Sequence, residues 1–150
     1  MTFVASDEIS LSCDSELEES TSTDSFQNEK PTLLIIEDDH MIQELYSALL
    51  EYTEWEIMSQ VFDGFQAKKT YFSLETSPTI VICDITLPDC SGIDLAREIL
   101  DHNPNQKIIF VSGTIHQLED HPDLKNIPRL GKPFKIDELT KKLQEIAFFQ

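Results

Sequence analysis

Four short stretches of this chain gather residues able to do polar chemistry. Glu37-Asp38-Asp39 follows one apolar run, Asp84 follows a second, Ser112-Gly113 a third and Lys132-Pro133 a fourth. Taken singly, each has an ordinary explanation. Asp39 could cap the helix that follows it, Ser112 could belong to a turn, and Lys132 could be a solvated side chain. Jointly they are harder to dismiss, because capping needs no lysine on another strand end. Two carboxylates about 4 Å apart repel by roughly 4 kcal/mol at an effective dielectric of about 20, so several crowded together call for a counter-charge. An all-oxygen donor set with room for water and a phosphate suits Mg²⁺ better than zinc. No cluster of Cys and His competes for the metal, and His40 has no second His or Cys at ligand spacing. A carboxylate beside such a cation can attack a phosphoryl group and become an aspartyl phosphate. Lys132 and the Ser112 hydroxyl would then hold the phosphoryl oxygens as charge develops.

Something must carry these residues to one place, and the hydrophobic pattern supplies it. Strand-length apolar runs at Thr32–Ile36, Ile57–Val61, Thr79–Cys83, Ile108–Val111 and Ile127–Gly131 alternate with stretches of helical period. Helices are expected over Met41–Tyr52, with Met41, Leu45, Leu49 and Tyr52 on one face, and over Phe65 to Ser73. A third is expected over Ser91–Asn103, ended by Pro104, and the last over Ile136–Ala147. His116–Asn126 has a weaker pattern and contains Pro122, so a short or irregular element is expected there. Five βα units predict an α/β fold, a parallel sheet covered by helices on both faces. Such sheets do their chemistry at the carboxyl ends of the strands, where strand order reverses.

Composition narrows the partners. The chain has 28 Asp and Glu against 11 Lys and Arg, a net charge of −17. A phosphate backbone would be repelled, so no nucleic-acid partner is expected. No apolar run is long enough to span a bilayer, so no membrane insertion is expected. Cys13, Cys83 and Cys90 form no CxxC pair, and MTFVASDEIS lacks the features of a secretory signal. A cytoplasmic location is the expectation. Residues 1–30 hold ten Ser and Thr and eight Asp and Glu without a sustained apolar period. They read as a disordered acidic tail, and residues 31–150 as the ordered domain. A short docking motif around Ile9 to Leu17 is the sharper alternative for the tail.

Asp38-Asp39, the DITLPDCSG run from Asp84 to Gly92, the VSG at Val111–Gly113 and the KPF at Lys132–Phe134 together resemble the two-component response-regulator receiver, from about Thr32 to Gln150. The resemblance implies a doubly wound, flavodoxin-like sheet of five parallel strands in the order 2-1-3-4-5, with five helices. It implies that Asp84 is the phosphoacceptor and that Asp38 and Asp39 hold Mg²⁺ with Asp84 and the backbone carbonyl of Thr86. Ser112 matches the hydroxyl that contacts the phosphoryl group, and Lys132 the lysine of the site, its bond to Pro133 cis. The partners implied are a histidine kinase or histidine phosphotransfer protein and a downstream protein target. One position departs from the pattern. The family often has Tyr or Phe three residues before the lysine; here it is Arg129, which could contact a partner or stay solvated.

The expectation is a single-domain response regulator that catalyses only its own phosphotransfer and dephosphorylation. Thr86 and Thr114 offer neither acid nor amide to orient water, so the aspartyl phosphate is not expected to be especially short-lived. Two rivals are a phosphohydrolase with an Asp nucleophile, which would want an acid at Thr86, and a scaffold with a receiver fold whose binding ignores phosphorylation.

Overall fold

The computed structural model describes residues 29–149. The acidic tail read from the sequence, apart from its last two residues, lies outside the described residues. Five strands run β1 (Thr32–Ile36), β2 (Glu56–Val61), β3 (Ile80–Cys83), β4 (Lys107–Ser112) and β5 (Arg129–Gly131). Between and after them come the α-helices α1 (His40–Leu50), α2 (Gly64–Tyr71), α3 (Gly92–His102) and α4 (Ile136–Phe149). The fourth of the five helical elements takes 3-10 form, in two turns at Ile115–Asp120 and Pro122–Leu124. Pro122 starts the second turn and has no N–H to continue the first.

All pairings are parallel, in the order β2-β1-β3-β4-β5. β1 and β3 are apolar along their length because both faces of the sheet are covered. Leu34, Ile36, Val81, Cys83, Ile108 and Phe110 pack towards α2 and α3, among Ala67, Tyr71, Ile93, Leu95, Ala96 and Ile99. Leu33, Ile35, Ile80, Ile82, Ile109 and Val111 pack the other way, with Tyr46, Leu50, Trp55, Leu139, Leu143 and Ile146. Each such aliphatic side chain contributes about 1.5–3 kcal/mol by leaving water, and the two layers fix the register that aligns the strand ends.

The helix starts are set by capping oxygens. Asp39 accepts from the N–H groups of Met41 and Ile42, and Ser91 from that of Ile93. The expected apolar face of α1 is not its buried face. Met41 and Tyr52 lie exposed and Leu45 is partly so, whereas Gln43, Tyr46 and Leu50 face the sheet. Gln43 fits there because its amide nitrogen donates to the carbonyls of Ile35, Glu37 and Val61, satisfying backbone at the end of β1. A polar residue in the buried stripe hid that stripe from a hydrophobic pattern.

Candidate functional site

Strand alternation decides which acids meet. Leu33 and Ile35 point to the α1 and α4 side, so the next residue of that parity, Glu37, does too. Ile80 and Ile82 share that side, and their parity continues to Asp84. The register pairs Ile36 with Cys83, and the Asp84 N–H donates to the Ile36 carbonyl at 3.0 Å. Glu37 and Asp84 are thereby abreast. Both are buried, at 2% and 6% exposure. Lys132 reaches in from beyond β5, donating to Glu37 Oε1 at 2.5 Å and to Asp84 Oδ2 at 2.9 Å. Its peptide bond to Pro133 is cis, as the resemblance implied.

Glu37, Asp38 and Asp84 each bring a carboxylate oxygen within 4.8 Å of the others. Asp39 does not join them. Its carboxylate is committed to the N-terminus of α1, 2.8 Å from the Met41 nitrogen and 3.3 Å from that of Ile42. The acid pair that closes the cluster is therefore Glu37 with Asp38, one residue earlier than Asp38 with Asp39. Parity does not separate Glu37 from Asp39, since Asp39 shares it; the cap of α1 does.

Electrostatics sharpen the picture. Burial pushes the Glu37 carboxyl up to about 7, and the hydrogen bond and charge of Lys132 offset only part of this. Burial also works against the Lys132 charge, but hydrogen bonds to Glu37 and Asp84 outweigh it and its pKa lies above the ordinary value. One ammonium thus pairs with two of the three clustered carboxylates, Glu37 and Asp84. That donor set, all oxygen and short of positive charge, fits a hard divalent cation.

The loop after Asp84 is shaped by small residues and caps. A Cβ on Gly92 would lie 1.8 Å from the Asp84 carbonyl oxygen, and the Gly92 N–H donates to the Ile85 carbonyl at 2.6 Å. Only glycine lets α3 start against the strand that carries Asp84. Asp89 accepts from the N–H groups of Gly64 and Phe65, at 2.7 and 2.9 Å, tying the loop to the start of α2. The Thr86 N–H donates to Asp84 Oδ1 at 3.3 Å.

At the end of β4, Ser112 is buried and its oxygen accepts from the Thr114 N–H at 3.2 Å. Arg129 is half-buried, and its guanidinium is engaged with backbone. It donates to the carbonyls of Leu124, at 2.9 Å, and Ile127, at 3.1 and 3.3 Å. His40 stacks on Phe62, ring centroids 4.2 Å apart, and takes no part in the cluster.

The family model for the response regulator receiver domain matches residues 33–144. The chain belongs to the response regulator receiver domain family. As a receiver domain it is a regulatory module of two-component signalling. It is 26% identical over 117 residues to the chemotaxis protein CheY of Listeria monocytogenes, covering 77% of this chain and 97% of that protein. It is 27% identical over 117 residues to the CheY of Thermotoga maritima, covering 77% of this chain and 96% of that one. Among solved structures it resembles the receiver domain of the PhyR response regulator of Erythrobacter litoralis, with TM-score 0.71 and 25% identity, covering 81% of this chain and 92% of that one. It shares its fold with the receiver domain of the sensor histidine kinase PA1611 of Pseudomonas aeruginosa, with TM-score 0.69 and 24% identity, covering 79% of this chain and 98% of that one. That protein has a magnesium ion coordinated in its active-site cleft. No helix among the described residues is long and apolar enough to cross a membrane.

Proposed function

We propose that this receiver domain accepts a phosphoryl group on Asp84 from a histidine kinase or histidine phosphotransfer protein and signals through altered binding of a protein target. The observation that carries this reading is the buried Asp84 carboxylate, held by Lys132 at 2.9 Å and crowded by Asp38 and Glu37. An Asp84 oxygen attacks phosphorus, the bond from phosphorus to the donor's imidazole nitrogen breaks, and that nitrogen keeps the electron pair. Lys132, already on Asp84 Oδ2, would hold an incoming phosphoryl oxygen, and Ser112, at the carboxyl end of β4, would offer a neutral hydroxyl.

Asp38, Asp84 and Glu37 would hold Mg²⁺, with the Thr86 backbone carbonyl as a further oxygen ligand. When bound, the cation supplies positive charge against the nucleophile and the entering phosphoryl oxygens. Asp39 is a capping residue in this reading. The domain is proposed to work in the cytoplasm, in keeping with Cys83 and Cys90, which are free thiols.

The test is the intact mass of the chain after incubation with acetyl phosphate, with and without Mg²⁺, beside Asp84→Asn. One phosphoryl adduct that needs Mg²⁺ and vanishes in the variant is expected. No adduct from acetyl phosphate or from a panel of phosphorylated histidine kinases would overturn the reading.

A further inference from the structure

Three hydroxyls stand in line across the mouth of the site. Ser112 Oγ lies 3.1 Å from Thr114 Oγ1, which lies 3.1 Å from Thr86 Oγ1. The row runs from a buried residue, through a half-buried one, to an exposed one. It also crosses from the loop after β4 to the loop after β3, closing a gap that no strand pairing closes. Thr86 belongs to both sides, because its backbone N–H donates to Asp84 Oδ1 at 3.3 Å.

The position of Ser112 gives the row its meaning. Among the described residues, both hydrogen bonds of its hydroxyl are made with Thr114, one to the backbone N–H and one to the hydroxyl. Neither goes to Asp84, Glu37 or Lys132. A serine hydroxyl carries one proton and can point it one way. Either hydroxyl can be the donor in the Ser112–Thr114 pair; with Ser112 as donor, its proton reaches an oxygen carried by Asp84 only by leaving Thr114.

We propose that Thr114 is a positioning residue, and that the hydroxyl pair Thr86–Thr114 is a latch that keeps the Ser112 hydroxyl turned from Asp84 until a phosphoryl group arrives. The inference rests on the phosphoacceptor reading of Asp84 and adds to it a barrier internal to the site. The latch joins the two loops only while the acid is unmodified. Loss of the Thr114 hydroxyl removes the competitor for Ser112 and the link to Thr86 together. Loss of the Thr86 hydroxyl removes the link alone.

The experiment is calorimetric titration of the full chain with beryllofluoride, a phosphoryl mimic, at saturating Mg²⁺, and separately with Mg²⁺ alone. Thr114→Val is expected to bind beryllofluoride about fivefold more tightly than the unaltered chain, the equilibrium worth of one modest hydrogen bond. Thr86→Val should gain about twofold, and Thr114→Ser, which keeps a hydroxyl at that place, should match the unaltered chain. Affinity for Mg²⁺ alone should be the same in the unaltered chain, Thr114→Val and Thr114→Ser. Beryllofluoride binding by Thr114→Val that is no tighter would overturn the latch, as would a parallel shift in Mg²⁺ affinity. Failure of the unaltered chain to bind beryllofluoride would overturn the phosphoacceptor reading itself.

Discussion

The carboxylate cluster and the segment from Ile115 to Ile127 both depend on cations from elsewhere in the chain, but they use them differently. At the cluster, half-buried Lys132 pairs with Glu37 and Asp84 and offsets charge that the fold has forced together. At the segment, the guanidinium of Arg97 on α3 holds Asp123 at 3.0 Å and the His121 ring nitrogen at 3.0 Å, both near the surface. Arg129 holds the carbonyls of Leu124 and Ile127. One region stores electrostatic tension; the other is fastened. Arg129 shows why the difference matters, since it fills the position where the family often has a ring free to move, and its side chain is already committed to backbone.

The two regions should therefore fail differently. Lys132→Met leaves Glu37 and Asp84 buried without their counter-charge and is expected to cost about 4 kcal/mol of folding stability in urea at about pH 8 without divalent cations. Added Mg²⁺ should restore part of that loss. Gly92→Ala must move the Asp84 carbonyl and is expected to cost about 3 kcal/mol, with a slower Asp84 phosphorylation by acetyl phosphate; an unchanged rate would separate the loop from the chemistry.

Arg129→Met removes a charged donor from two carbonyls and should cost about 1.5 kcal/mol. Faster amide exchange confined to residues 124–127 would locate the loss, and the phosphorylation rate should not change. A rate that fell with it would erase the distinction between the regions. Asp123→Asn breaks an exposed pair and should cost about 0.5 kcal/mol, less in high salt.

The cluster also predicts a pH dependence. The fold raises the Glu37 pKa from 4.5 to about 7, so the folded chain binds this proton more tightly than the unfolded one. The stability it contributes is complete below about pH 4.5 and is lost as pH rises through about 7. Without divalent cations the urea midpoint should fall between about pH 6 and about pH 8, and Glu37→Gln should flatten that slope. An equally steep slope in the variant would assign the titration to another group.

The legibility of the two regions follows the same division. Asp84 and Ser112 could be placed from sequence because each closes a run too apolar to be anything but a covered strand, and Lys132 from the KPF run after a short, half-covered strand. Three consecutive acids look alike in sequence, and what sets Asp39 apart from Glu37 and Asp38 is its pair of bonds to the start of α1. The fold class followed from strand and helix spacing, whereas the inner face of α1 did not, because Gln43 serves backbone carbonyls there. Arg129 was beyond reach for another reason. Its partners are main-chain oxygens of a 3-10 segment, and no residue type announces them.

The sheet has one further property, visible at its two borders. β5 pairs through three residues only, Arg129, Leu130 and Gly131, and so offers a neighbouring molecule almost no free backbone to extend. β2, the other border, is six residues long, but its register against β1 jumps from Leu33–Ile57 to Leu34–Ser59, leaving Met58 as an extra residue. Such a bulge twists a strand and interrupts the row of amides that a second sheet would need. A parallel sheet assembled from distant segments exposes its edges while it forms, and this one is built so that neither edge invites polymerisation.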